Sequence, residues 1–302
     1  MADIAASVLA KLKNKARASG ISYQQCLQLF FQEEFLRRLA GSPYAENFIL
    51  KGGLFIYTLT QFESRATVDV DFLMRGLNND LNHMDEMIAE ILAVDTGNDY
   101  VTFKAAKPQP IALQRKYHGV STQITGLIKN VRVPFHVDIG VGDVIVPKAE
   151  RRKIKTQLEG YAQPEILTYS LESTIAEKFD AILQRFELTG RMKDFYDIYY
   201  LSKTFDFDGL RLQTAIQKTL ESRGTAYEKD SFARVLALED DDQMHTKWRY
   251  FLKTLGNSGL SFTEVMQGIR VFLSPVWQAL VTENEFLRCW KAENASWNLP
   301  QR

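Results

Sequence analysis

"KGGLFIYTLTQFESRATVDVDFLMRG", residues 51–76, carries two carboxylates where a core strand should be apolar. Val68 to Met74 has the composition of a buried strand, yet Asp69 and Asp71 interrupt it. Side chains alternate across a strand, so the two aspartates share a face with Leu73, while Val68, Val70 and Phe72 face the other way. Two carboxylates roughly 7 Å apart along the chain repel each other in a partly dehydrated site, and a bound cation removes that conflict. Oxygen ligands on a rigid strand suit hard Mg²⁺, which takes one or two protein carboxylates and completes its shell with water and substrate phosphates. The pattern therefore reads as a phosphoryl-transfer platform; the competing reading is a solvent-facing strand face.

Working outward, Lys51-Gly52-Gly53 follows a short strand, Phe48 to Leu50, and opens a helix through Leu54 to Leu59. Glycines there let backbone N–H groups approach a phosphate at a helix N-terminus; a tight strand-to-helix turn explains them equally well. Downstream, RVPFHVDIGVGDVIV (132–146) is another apolar strand broken by Asp138. Three carboxylates on two strands, Asp69, Asp71 and Asp138, could serve a two-metal site clamping the attacking and leaving oxygens of an in-line displacement. Asp143, in a Gly-Asp pair after that strand, reads as a turn residue.

The flanking sequence supplies the frame. Residues 3–18 and 23–40 have amphipathic helical spacing, and strands are expected over 101–105, 121–128 and 132–141 with a helix over 81–94. From Leu171 onward the pattern is helical almost throughout, over 171–186, 193–203, 210–221, 232–239, 246–255 and 262–281. The expectation is an α+β half, 1–160, with a small sheet, and an α-helical half, 161–302, separated by the basic stretch PKAERRKIKTQLEGYAQPE (147–165).

Composition narrows the class. The chain has 302 residues, 45% of them hydrophobic, with 37 basic and 37 acidic side chains, so a nucleic-acid partner would need a local basic patch. Lys148, Arg151, Arg152, Lys153 and Lys155 are the candidate cluster, which could equally be a solvated linker. Cys26 and Cys289 lack metal or disulfide-framework spacing, and His83, His118, His136 and His245 do not cluster at ligand spacing. No apolar run approaches the roughly 18 residues that span a bilayer, and the opening lacks the apolar core of a secretion signal, so a cytoplasmic protein with no membrane partner is expected.

The helical half carries polar intruders. In LESTIAEKFDAILQRF (171–186), Lys178 lies within the stripe made by Leu171, Ile175, Phe179 and Ile182, so it faces inward, where a nucleotide triphosphate could be its anionic partner; snorkelling beside the core explains it equally well. In RMKDFYDIYYLSKTF (191–205), Asp194 and Asp197 share the face of Ile198 and Leu201. They could hold Lys178 as an ion pair, or one could orient an attacking hydroxyl. Tyr196, Tyr199 and Tyr200 read as packing residues, with base stacking the alternative.

Taken in order, "FILKGGLFIY", "RATVDVDF", "VDIGVGD", "ESTIAEKFDAIL" and "RMKDFYDIYYL" resemble the AbiEii/AbiGii toxin family of nucleotidyltransferases, a polymerase-beta-like branch. The resemblance covers most of 48–201 and implies a polymerase-beta-like nucleotidyltransferase domain with a small mixed sheet, followed by a helical domain that completes the nucleotide site. It implies that Gly52, Gly53, Arg65 and Thr67 bind the nucleotide and that Asp69, Asp71 and Asp138 bind Mg²⁺. Lys178 would lie near the triphosphate, and Asp194 or Asp197 would act in catalysis or positioning. Where relatives have Gly-Ser in the first motif this chain has Gly52-Gly53, which removes any serine contact there. The family's type IV toxin–antitoxin and abortive-infection setting implies an NTP substrate, an RNA acceptor such as a tRNA 3′ end, a cognate antitoxin and a role in phage defence. Alternatives are a protein or small-molecule acceptor, or a catalytically idle nucleotide-binding defence module.

Overall fold

A computed structural model describes residues 3–60, 65, 67–111, 119–185, 191–256 and 259–300. His118 and Phe186 lie outside the described residues. The chain divides into two compact units, one of residues 1–142 and 149–169, the other of 143–148 and 170–302.

The first unit opens with helices α1 (Ile4–Ser19) and α2 (Tyr23–Ala40), each started by a side-chain cap, Asp3 and Ser22. Then come β1 (Phe48–Lys51), α3 (Gly52–Leu59), β2 (Val70–Met74) and α4 (Leu81–Ala93). Strands β3 (Thr102–Ala105), β4 (Gln109–Ile111), β5 (Gly119–Ile128), β6 (Val131–Gly140), β7 (Glu150–Lys153) and β8 (Glu165–Thr168) complete it. Eight strands form one mixed sheet in the order β3-β5-β6-β2-β1-β8-β7, with β4 on β5. Within it, β2 runs parallel to β6 and antiparallel to β1.

The sheet is wider than the sequence promised. The basic stretch read as a boundary instead holds β7, an antiparallel partner of β8, at the sheet edge. Its charges hide it from hydrophobic patterning, and short charged strands are what sheet edges tolerate. Helix α2 also departs from expectation: Gln32, Glu33, Glu34 and Arg37 are buried along with Phe31, Phe35 and Leu39, so it has no solvent face in this stretch. Arg37 pairs with both Glu33 and Glu34, which makes that burial tolerable. Phe31 lies where a side chain on Gly126 of β5 would be, so that glycine lets the helix close on the sheet. Phe35 meets Phe72 and Phe135 at ring separations of 6.1 and 6.3 Å.

The second unit contains α5 (Leu171–Arg185), α6 (Met192–Thr204), β9 (Phe207–Asp208), α7 (Gly209–Arg223), α8 (Ser231–Leu236), α9 (Asp242–Thr254), α10 (Phe262–Val281), β10 (Cys289–Lys291) and β11 (Ser296–Asn298). Every helix expected here is present, and a three-stranded sheet, β11-β10-β9, was not anticipated. Its strands are two or three residues long, too short for periodicity to show. Trp290 anchors it by donating its indole N–H to the Ser202 carbonyl at 2.6 Å and packing on Phe272. Tyr196 stacks on Tyr200 and touches Trp248 and Phe251, as a packing residue does. No helix among the described residues is long and apolar enough to cross a membrane.

Candidate active site

The hairpin of β5 and β6 turns at Lys129, in the left-handed region at φ 52°, and its register places Ser121 opposite Asp138. Parallel pairing then sets Asp138 beside Asp71, and antiparallel pairing sets Asp71 beside Lys51. Ser121, Asp138, Asp71 and Lys51 thus form one polar row across four adjacent strands, on a single face of the sheet because paired residues point the same way. The opposite face of β6, Val133, Phe135, Val137 and Ile139, is buried core. Asp71 and Asp138 are half-buried, and the Ser121 hydroxyl donates to Asp138 Oδ1 at 2.6 Å. His136, on the Asp138 face, is exposed.

The glycines close onto this row. Gly52 begins α3 at φ +68°, a left-handed conformation that side chains avoid, and a Cβ on it would lie 2.1 Å from Asp71 Oδ2. A Cβ on Gly53 would lie 2.8 Å from Thr67 Oγ1. Both glycines therefore exist because the strand acids and the Thr67 turn approach the helix start directly. That start offers free backbone N–H groups and the positive end of the helix dipole.

Asp69 stands one residue ahead of β2, half-buried, and Arg65 is half-buried further upstream. Val68 was expected on the apolar strand face; it is outside the strand and 56% exposed. The reason is visible in its carbonyl, which accepts from the buried amides of Gln28 and Gln32 on α2, each at 2.7 Å, rather than from a neighbouring strand. These glutamines hold the approach to Asp69 and Asp71 from behind, a role the sequence did not signal. Ser121 and Lys51 were also missed, although counting back from the β5–β6 turn finds Ser121 opposite Asp138.

The donor set suits a hard divalent cation: carboxylate oxygens on Asp71 and Asp138 at neighbouring strand positions, with Asp69 two residues away. Among the described residues no group of three or more His, Cys, Asp or Glu gathers as a ready-made metal cage. Mg²⁺ requires none, since water and phosphate oxygens supply most of its shell.

In the helical unit, Lys178 Nζ lies 2.6 Å from Asp197 Oδ2 and 3.3 Å from Asp194 Oδ1, and Arg191 pairs with the other oxygen of Asp194. Both aspartate side chains are 1% exposed. Of the readings open for this lysine, the ion pair with the two aspartates is the one present. Asp143 also belongs to this unit, where Arg223 joins it to Glu177 and Asp180 at 3.0 Å each. Of the basic cluster, Lys148 lies in this unit, while Arg151, Arg152, Lys153 and Lys155 lie at the β7 edge of the other.

A mixed sheet that sets paired aspartates against a glycine-opened helix is an arrangement suited to nucleotidyl transfer. Solved structures agree on the fold. MenT4, a nucleotidyltransferase toxin from Mycobacterium tuberculosis, is 14% identical at a TM-score of 0.56, over 89% of this chain and 98% of that one. A protein of H. pylori described as a candidate nucleotidyltransferase is 15% identical at a TM-score of 0.53, over 88% of this chain and 100% of that one. JHP933 from Helicobacter pylori, also 15% identical, has a TM-score of 0.51 over 87% of this chain and 95% of that one. No curated protein matches the sequence. The family of nucleotidyl transferase AbiEii toxins of type IV toxin–antitoxin systems matches residues 34–279, and the chain belongs to it. It is therefore an enzyme of the nucleotidyltransferase class, with a nucleoside triphosphate as substrate and an antitoxin as counterpart.

Proposed function

We propose that the chain transfers a nucleoside monophosphate from a nucleoside triphosphate to the 3′-hydroxyl of an RNA, a tRNA 3′ end in the first instance, with Mg²⁺ held by Asp69, Asp71 and Asp138. The observation that carries this reading is the close approach of Gly52 to Asp71: a glycine whose side chain, if it had one, would meet the Asp71 carboxylate joins the phosphate-cradle motif to the strand acids. When bound, the metal would offset the charge of the phosphates and make the acceptor hydroxyl a better nucleophile.

The chain's own groups do the rest. Ser121 spends its proton on Asp138 and fixes that carboxylate's orientation, leaving its second oxygen available. The N–H groups at the start of α3, bared by Gly52 and Gly53, hold triphosphate oxygens, with Thr67 beside them and Arg65 on the same connection. The α-phosphorus–oxygen bond to pyrophosphate breaks as the bond to the RNA oxygen forms, the hydroxyl proton passing to solvent water, and pyrophosphate leaves. Lys178 is ion-paired in the helical unit with Asp194 and Asp197; Asp194→Asn and Asp197→Asn proteins would tell which carboxylate transfer needs. A toxin blocking tRNA ends would act in the cytoplasm and fits a phage-defence role.

The test is purified protein with Mg²⁺, each α-³²P-labelled nucleoside triphosphate and total tRNA, resolved on denaturing gels. Label should appear on RNA, disappear with EDTA, and fall at least ~100-fold in Asp71→Asn. Label on protein instead of RNA would overturn the acceptor, and undiminished labelling by folded Asp71→Asn would overturn the site.

A further inference from the structure

The edge strand β7 and the residues after it concentrate positive charge on the sheet unit. Arg151 pairs with Glu46 and Arg152 with Glu150, while Lys153 makes no ion pair among the described residues. Between this edge and the C-terminal half of α3 lies a cavity of about 570 Å³ lined by Arg152, Lys153 and Lys155 with Thr58 and Gln163. None of its lining residues is acidic. Arg152 Nε is buried and has no hydrogen-bond partner, so one guanidinium donor is desolvated with nothing to accept from it. Three cations, of which Arg152 is paired with Glu150 of the same edge, and two neutral hydrogen-bonding side chains make a receptor for a doubly coordinated anion.

Its position selects the anion. The cavity lies along the same helix that starts at Gly52-Gly53, and Thr58 is five residues beyond Gly53, ~8 Å along the axis. A triphosphate held at the helix start leaves this second anion place to another molecule, and a single strand with its 3′ end at the aspartate row could reach it. Phe55, the aromatic residue of the lining, is 1% exposed and offers no open face on which a base could stack.

We infer that the cavity between α3 and β7 is a docking site for the phosphodiester backbone of single-stranded RNA, held through Arg152, Lys153 and Lys155 without base readout. This rests on the RNA-acceptor reading above and adds where the acceptor is held. Such binding should be sequence-tolerant and strongly salt-dependent, each phosphate contact contributing ~0.7 to the slope of log affinity against log salt.

The experiment measures anisotropy of a short labelled unstructured RNA, titrated with the full chain at several KCl concentrations. The Lys153→Gln/Lys155→Gln protein should show a slope shallower by about 1.4 and an affinity at least ~10-fold weaker near 0.1 M KCl. The Lys153→Arg/Lys155→Arg protein should keep the slope, and nucleoside triphosphate binding, measured separately, should be unchanged in both. An unaltered slope in the glutamine variant, or no RNA binding by the parent, overturns the inference. The gel assay judges the underlying reading independently: label on RNA with an unaltered slope removes the docking site alone, whereas label on protein removes the acceptor itself.

Discussion

Gly52 shows how narrowly the site is specified. Alanine there meets two penalties: about 1–2 kcal/mol for a left-handed backbone, and a Cβ 2.1 Å from Asp71 Oδ2. We expect Gly52→Ala to lower the melting temperature by roughly 2–8 °C and, because the atom displaced belongs to the strand carboxylate, to cut transfer ~100-fold. Calorimetry beside the labelling assay separates the two effects; transfer near the parent level in a folded protein would contradict the geometry. Asp71 and Asp138 could be picked out of the sequence because a carboxylate in an apolar strand costs free energy and needs a reason; Asp69 was picked out on the same ground, although it stands just ahead of the strand. Gln28 and Gln32 could not, because a glutamine on a helix declares nothing until its carbonyl partner, here that of Val68, is known.

Helix α2 illustrates what periodicity reads and what it misses. Its Leu27, Phe31, Phe35 and Leu39 stripe was plain, but the burial of its acids depends on partners far along the chain. Glu33 accepts from the Gln157 N–H and pairs with Arg37, while Glu34 receives Asn98 at 2.7 Å. Burial pushes the Glu33 carboxyl from an ordinary 4.5 up to about 7, outweighing the opposing pull of Arg37 and the Gln157 N–H, with neighbouring Glu34 adding a smaller push upward. A raised folded value means that the native state holds the proton more tightly than the unfolded chain. The stabilisation is therefore complete below about pH 4.5 and is lost as pH rises to about 7, amounting to roughly 3 kcal/mol. Urea denaturation from pH 4.5 to 8 should show this decline, and Glu33→Gln should flatten it; parallel profiles would place the titration elsewhere. Helices and long strands were legible because each contains enough residues to display a period. Edge strands such as β7, four residues with three cations, were not.

The whole molecule is interleaved, since residues 143–148 belong to the helical unit although sheet strands flank them in sequence. Arg223 secures that segment through Asp143, together with Glu177 and Asp180, and Ser173 accepts from the Val146 N–H at 2.8 Å. Removing the guanidinium leaves the buried Asp180 and the half-buried Asp143 and Glu177 facing one another unpaired, so Arg223→Ala should cost about 3 kcal/mol in denaturant unfolding, and Arg223→Lys should recover only part. A loss within 1 kcal/mol would mean the segment is held by other contacts. The same interleaving sets an order in time. On the ribosome, Asp143 is made 80 residues before Arg223, an interval of roughly 4 to 16 s at ordinary synthesis rates. By Thr168 every strand of the large sheet has been made, with Asp71 and Asp138 in it and Asp69 just ahead of β2, so the nascent chain can close its sheet while 143–148 still waits for the helices that will receive it.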